Sequence, residues 1–357
     1  MCFNGMISIA LLPLSWLYGA VVRFRNKLFD LRILPSEEFD IPVISVGNLA
    51  VGGTGKTPHI EYLIRLFLNK KYRVAILSRG YKRKTRGFML ADEHSDSRRI
   101  GDESYQIHRK FSEVTVAVDS SRRRGIRRLL ALPGDERPEI ILLDDAFQHR
   151  YVKPALSILL TDYNRQFNND RLLPAGRLRE PASSAGRADI IIVTKCPKDV
   201  CEQDGRFYSS FEYKGLLPVF PASTVVHKES LDRLKKENFS LLVVAGLANP
   251  VPLTKYLNEY TTDLNIMLYP DHHDFTERDF SEIKARFNNI TNAQKLLVTT
   301  EKDAARIVDN PYVSDLLKPF IFYLPVEVVF ACPEQEKLFI QQLHSYLFSN
   351  KQNRINI

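Results

Sequence analysis

From residue 40 to about residue 195, short and nearly uninterrupted apolar runs alternate with longer amphipathic or polar stretches. The runs are Val43 to Val46, Val74 to Leu77, Val114 to Val118, Ile140 to Leu143, Ser157 to Leu160 and Ile190 to Val193. Strands that are apolar throughout are covered on both faces, so the pattern predicts an α/β fold, a mostly parallel sheet with helices on either side. Between the first two runs, Ile60, Leu63, Ile64, Phe67 and Leu68 recur at helical spacing within His59 to Leu68. A later set, Leu241 to Ala245, Asn265 to Leu268, Leu296 to Val298 and Ile321 to Leu324, predicts a smaller second α/β domain. Phe207 to Tyr213 and Leu217 to Phe220 flank Lys214-Gly215 and read as a hairpin or hinge ribbon joining the two. The expected division is an N-terminal helix over 1–28, a first domain over 29–222 and a second over 223–357, the polar stretch from Ser349 to Ile357 being frayed.

The first 22 residues carry no charged side chain and include Ile7, Leu11, Leu12, Leu14, Trp16, Leu17, Val21 and Val22, with Arg23, Arg25 and Lys27 following. No cation precedes the stretch, as a secretory signal requires, and Asn4, Gly5, Pro13, Ser15 and Gly19 weaken a spanning helix. The expectation is an interfacial helix with Trp16 and Tyr18 at headgroup depth and the cations facing anionic lipid. A helix buried on the protein's own sheet is the alternative. At 357 residues and 44% hydrophobic the chain is globular with more than one core. Its formal charge of +8 implies an anionic partner, whether nucleic acid, acidic lipid or a phosphorylated substrate. Cys2, Cys196, Cys201 and Cys332 are too few and scattered for a disulfide scaffold or a zinc site, which fits a reducing cytoplasm.

Val46-Gly47-Asn48-Leu49-Ala50-Val51-Gly52-Gly53-Thr54-Gly55-Lys56-Thr57-Pro58 takes a buried strand into a glycine loop that ends in Gly-Lys-Thr. Such a loop lets successive N–H groups converge on nucleotide phosphates, with the lysine on the outer phosphates and the threonine hydroxyl on Mg²⁺. Gly52, Gly53, Thr54, Gly55, Lys56 and Thr57 are the candidates, although the strict spacing asks for glycine where Ala50 stands. The fold expectation sharpens to P-loop NTPase-like. Ile140 to Leu143 delivers Asp144 and Asp145 to the same edge of the sheet, as a strand that presents carboxylates to Mg²⁺ does. Either acid fits the metal, and His149 four residues on would touch phosphate or position a partner.

Phosphoryl transfer to an alcohol needs a carboxylate or imidazole to accept the proton, and Asp102, opening a helix in Gly101-Asp102-Glu103-Ser104, fits that need. Tyr269-Pro270-Asp271-His272-His273-Asp274 offers an active-site histidine from the second domain, since adjacent histidines in extended chain point opposite ways. Glu180, in the loop from Leu172 to Pro181, would add a metal-linked carboxylate. Two basic clusters, Arg79 to Arg86 and Arg122 to Arg128, follow predicted strands, with Arg79 and Arg122 as the candidate anion contacts. A membrane-attached nucleic-acid-binding protein would use the same arginines. A GTPase or ATPase switch is the other rival, but Thr194-Lys195-Cys196-Pro197 lacks the Asn and Asp of a guanine reader.

Taken together, these motifs resemble the tetraacyldisaccharide 4'-kinase family of lipid A biosynthesis over nearly the whole chain. The likeness rests on Val46 to Asn48 with Val51 to Pro58, Leu77 to Tyr81, Gly101 to Glu103, Asp144 to His149, Leu172 to Gly176 with Leu178 to Pro181, Asp271 to His273, and Thr300 to Ala304. That family does not require glycine where Ala50 stands; Ala146 departs from it by standing where glycine is expected. The resemblance implies transfer of the ATP γ-phosphate, with Mg²⁺, to the 4'-hydroxyl of a tetraacylated glucosamine disaccharide 1-phosphate. It implies peripheral attachment to the cytoplasmic face of the bacterial inner membrane; a monomer without a nucleic-acid partner is the accompanying expectation. Asp102 would accept the hydroxyl proton with His272 orienting or polarising it. Lys56, Thr57, Asp144, Asp145 and Glu180 would handle ATP and metal, and closure of the hinge would complete the site.

Overall fold

The structure is a computed structural model and describes residues 10–197, 200, 202, 204–220, 230–247 and 249–352. Cys2, Cys201 and the first nine residues of the expected N-terminal helix lie outside them.

The larger sheet contains β1 (Val43–Asn48), β2 (Val74–Ser78), β3 (Met89–Leu90), β4 (Thr115–Val118), β5 (Ile140–Asp144), β6 (Leu156–Asp162), β7 (Ile190–Thr194), β8 (Phe207–Tyr213) and β14 (Val326–Phe330), in the order β14-β8-β7-β6-β1-β5-β2-β4-β3. The strands from β8 through β1 to β4 pair in parallel, and β3 is antiparallel to β4. β1, β2 and β5 are buried at every position, as their unbroken apolar runs require. The predicted helix is α2 (Lys56–Asn69), and its Ile60, Leu63, Ile64 and Phe67 face a core shared with Ile44, Ile76 and Leu142. Burying each such side chain contributes about 1.5–3 kcal/mol. The smaller sheet runs β11-β10-β12-β13-β9, from β9 (Leu217–Pro218), β10 (Ser240–Ala245), β11 (Leu264–Leu268), β12 (Lys295–Thr300) and β13 (Ile321–Leu324).

The chain divides into two compact units, and not at 222/223. The first holds the chain to Ser95, Ile107–Phe211 and the chain from Val328; the second holds Asp96–Gln106 and Glu212–Glu327. The C-terminal return has a packing cause. In α10 (Pro333–Gln352), Phe339, Leu343 and Leu347 share the first unit's core with Phe207 and Phe330. A periodic apolar stripe announces a buried face but not which sheet buries it. That helix also continues through Ser349, where fraying was expected. Nor do β8 and β9 form a hairpin: β8 pairs with β7 in parallel, and β9 pairs with β13 antiparallel.

α1 (Leu12–Asp30) combines both readings of the N-terminus. One face is fixed to the first unit: Ser15 Oγ donates to Leu172 O at 3.1 Å, and Tyr18 Oη donates to Arg179 O at 2.8 Å. Gly19 lies so close that a Cβ there would sit 2.7 Å from Leu172 Cδ1. On the other face Leu14, Trp16, Leu17, Val21 and Phe24 are exposed, Trp16 by 70%. Among the described residues no helix is long and apolar enough to cross a membrane.

Candidate functional site

In the first unit the chemistry gathers beyond the C-terminal end of β1, between β5 and β6, where open α/β sheets place their ligands. Gly52 (φ 117°) and Gly55 (φ 85°) adopt left-handed backbone that side chains resist. A Cβ on Gly55 would lie 2.3 Å from Phe211 Cζ. Ala50 is explained by its neighbours: it bridges Leu178, and Val51 N donates to Arg177 O at 2.8 Å. That position is extended chain against chain, so nothing there demands glycine. Asn48, fully buried, spans the loop from within, its Nδ2 donating to Thr54 Oγ1 at 2.8 Å.

The β1–β5 register sets Val46 opposite Asp144, which brings the two acids to the start of the loop. Asp145 stands in left-handed backbone (φ 46°), the kind of strain that collects at functional sites. Its Oδ2 accepts from Arg179 Nη1 at 2.9 Å, and its Oδ1 lies 3.7 Å from Lys56 Nζ with no hydrogen-bond partner. Burial alone would raise the Asp145 carboxyl, but Lys56 and Arg179 outweigh it and hold it below the usual range. Arg122 opens α5 (Arg122–Leu130) and is only 2% exposed, donating to Asp119 O at 2.6 Å and to Asp144 O at 3.0 Å. Burial lowers it to about 10 against the pull of Asp144 and Asp145, so it keeps its charge at neutral pH. His149 is held down at about 4, first by burial and then by Arg122, Arg79 and Arg25, and is neutral there. Arg79, just past β2, is exposed.

This part of the site fits a nucleotide and its magnesium. It has a helix N-terminus, glycine backbone open to approach (a Cβ on Gly53 would meet nothing within 4 Å), a lysine, and a buried carboxylate oxygen left over. Thr57 lies in the first turn of α2. Glu180, by contrast, serves as counter-ion: it is 1% exposed, with Arg187 Nη2 at 2.5 Å and Arg25 Nη1 at 3.9 Å. Among the described residues no three His, Cys, Asp or Glu groups gather into a metal cage.

The second unit builds a separate cluster past the C-terminal ends of its own strands. β10 leads to Gly246, β11 to Asp271 and His272, and β12 to α9 (Glu301–Ile307). Asp102 belongs to this unit and begins α4 (Asp102–Lys110), which follows the short α3 (Ser97–Ile100). Its Oδ2 accepts from His272 Nδ1 at 3.0 Å and from Arg306 Nη2. An ammonium or guanidinium only donates and a carboxylate only accepts: Lys302 Nζ donates to Nε2 at 3.0 Å, while Nδ1 lies between the Asp102 carboxylate and Arg306 Nη2, 2.8 Å away. Burial raises Asp102, but the hydrogen bonds from His272 and Arg306 prevail and bring it down to about 2. His272 is itself in left-handed backbone (φ 61°). As expected of neighbours, His273 turns elsewhere, to Asp279 Oδ2 at 2.9 Å and the Tyr269 ring.

Thr300-Glu301-Lys302-Asp303 organises the cluster. Asp303, fully buried, accepts from Gly246 N at 2.9 Å and Thr300 Oγ1 at 2.7 Å, tying the β10 and β12 loops together. Lys302 and Arg306, one helical turn apart, both reach His272. These two cations and Arg179 were not among the sequence-predicted site residues; the (i, i+4) basic pair just past a strand end was the available signal.

A family model described as tetraacyldisaccharide-1-P 4'-kinase matches residues 7–347. The chain belongs to that family. It is 49% identical to the tetraacyldisaccharide 4'-kinase of Bacteroides thetaiotaomicron, over 96% of this chain and 94% of that protein. The same identity relates it to the enzyme of Parabacteroides distasonis, over 98% and 96%. Among solved structures it is similar to LpxK from Aquifex aeolicus crystallised in complex with ATP, with a TM-score of 0.74 and 30% identity, covering 96% of this chain and all of that one. The expected P-loop kinase fold, with a second, smaller α/β unit, is therefore the observed one.

Proposed function

We infer that the chain is an ATP-dependent kinase that transfers the γ-phosphate to the 4'-hydroxyl of a tetraacyldisaccharide 1-phosphate, in lipid A biosynthesis. The observation that carries the reading is Lys56 beside the unpartnered Asp145 oxygen at a glycine-loop helix N-terminus, in a chain of this family. The loop amides and Lys56 bind the phosphates, and Thr57, Asp144 and Asp145 would hold Mg²⁺. When bound, the metal neutralises charge on the phosphate oxygens. Arg79, Arg122 and neutral His149 add a positive, partly buried surface for anionic groups.

Proton handling at the acceptor hydroxyl belongs in this proposal to Asp102 and His272. The resemblance implied Asp102 as the base; a carboxylate held at about 2 by two hydrogen-bonded partners is a weak one at neutral pH. That supports Asp102 as the group that orients His272, and the imidazole as the acceptor. The exposed apolar face of α1 supports peripheral attachment to a membrane, in this proposal the cytoplasmic face of the inner membrane, where a substrate with acyl chains resides. The nucleic-acid reading loses ground because its arginine run is engaged internally: Arg122 on backbone carbonyls, Arg124 on Asp119 and Arg127 on Glu37.

The test is transfer of labelled γ-phosphate from ATP to the tetraacylated precursor in detergent micelles. Wild-type protein labels the lipid and Lys56→Ala does so at least about 100-fold more slowly; unlabelled lipid with folded, ATP-binding wild-type protein rejects the assignment.

A further inference from the structure

A phosphate loop works only if its amides face the ligand, and a trans peptide fixes each N–H opposite the preceding carbonyl. Three side chains from outside the loop take hold of three successive carbonyls. Lys195 Nζ donates to Gly53 O at 2.5 Å, Thr194 Oγ1 donates to Thr54 O at 2.9 Å, and His59 Nδ1 donates to Gly55 O at 2.7 Å. Each holder is itself held. Lys195 stands in left-handed backbone (φ 58°) and is paired with Asp162 Oδ2 at 2.7 Å. Thr194 is fully buried at the end of β7, and His59, 3% exposed, contacts Ser209 Oγ through Nε2 at 3.0 Å. The Gly55 carbonyl can only accept, so the His59 proton sits on Nδ1.

We propose that Lys195, Thr194 and His59 are positioning residues that pre-set the phosphate loop by turning the carbonyls of Gly53, Thr54 and Gly55 outward. The consequence falls on the amides that follow. The Thr54 N–H is turned back onto Gly52 O at 3.1 Å and helps close the loop. The Gly55 and Lys56 N–H groups are directed away from Thr194 and His59, into the helix N-terminus where phosphate is received. The Gly55 carbonyl is held a second time, by the backbone N–H of His59 at 3.3 Å; without Lys195 and Thr194 the Gly53 and Thr54 carbonyls are free to rotate inward, and the cost of reordering the loop moves into nucleotide binding. Thr194-Lys195 occupies the chain position at which a guanine reader would carry its base-recognition motif; here both side chains reach the phosphate loop itself.

The proposal rests on the loop being the ATP site, and the experiment separates the two. Lys195→Met, Thr194→Val and Lys195→Arg are compared with wild type and with Lys56→Ala. Magnesium-ATP affinity is measured by calorimetry, KM and kcat in the transfer assay, and the thermal midpoint without nucleotide. Lys195→Met and Thr194→Val are expected to raise Kd and KM for ATP about tenfold each, with kcat at saturating ATP within about threefold of wild type. Lys195→Arg should recover part of the loss, and the nucleotide-free midpoint of Lys195→Met should stay at the wild-type value. Lys195 is 38% exposed in its side chain and decides the matter if Thr194→Val does not fold. A folded Lys195→Met that binds ATP within twofold of wild type, while Lys56→Ala loses binding, overturns the proposal. So does a fall in kcat with KM unchanged. Undiminished ATP binding by Lys56→Ala would reject the nucleotide site itself.

Discussion

Arg306→Met tests the cluster around Asp102 where its energetics are most exposed to measurement. The Arg306 side chain is 5% exposed and that of Asp102 12%, so removing the guanidinium strands a buried carboxylate with His272 as its remaining hydrogen-bond partner. Bringing a carboxyl from 3.8 to about 2 corresponds to about 2.4 kcal/mol at 1.36 kcal/mol per pH unit, and solvent screening of the partly exposed group reduces it to about 2. Losing one partner of a buried pair costs about 3–5 kcal/mol when the other is fully trapped; with His272 still bonded, about 2–3 kcal/mol is expected. Because Asp102 is depressed in the folded state, its contribution is fully present above pH 3.8 and disappears as pH falls through about 2. The gap between wild type and Arg306→Met should therefore narrow at pH 3 relative to pH 7. Hydrogen exchange of peptides spanning β12 and α9 reports the local opening free energy. Combined with Asp102→Asn, the double mutant should fall short of additivity by at least about 1 kcal/mol. Additivity within about 0.5 kcal/mol, or a gap unchanged between pH 7 and pH 3, would refute the coupling and with it the account of why Asp102 is a poor base.

Gly55→Ala places a Cβ 2.3 Å from Phe211 Cζ in backbone at φ 85°, so it should lower the thermal midpoint and abolish tight ATP binding, whereas Gly53→Ala, with nothing within 4 Å, should leave the midpoint unchanged. Equal midpoints for the two variants would contradict the geometry. Replacing exposed Trp16 and Leu17 together by Ser should weaken sedimentation with anionic vesicles at least about tenfold while transfer to detergent-dispersed substrate persists; unchanged vesicle binding would remove α1 as the attachment surface.

How much of this was legible beforehand varied with the range of the physics. Strands such as Ile140–Asp144 and Val74–Ser78 stood within a residue of where unbroken apolar runs placed them, because two-sided burial writes itself into consecutive residues. The short antiparallel β3 has no such run and was missed, and β14 was missed with it. Asp102 and His272 were nameable as proton-handling candidates from residue type and motif, and they do meet. Arg306, which sets the character of Asp102, was not, since its approach depends on the helix after β12 and a loop after β11 ending at one sheet edge. Glu180 was nameable as a carboxylate near the loop, but only packing reveals that Arg187 and Arg25 lie against it.

The sequence by itself determined the two-sheet α/β character, the nucleotide loop, the presence of two acids at its edge and the kinship that defines the reaction, because each is encoded over a few neighbouring residues. Tertiary structure alone decided which unit receives the C-terminal helix, why Ala50 is tolerated, how Asp102 loses its affinity for protons, and which side chains contact the loop carbonyls. Apart from His59 on Gly55, four residues away, those outcomes depend on groups 30 to 204 positions apart meeting at hydrogen-bond distance, and no local pattern records such a meeting.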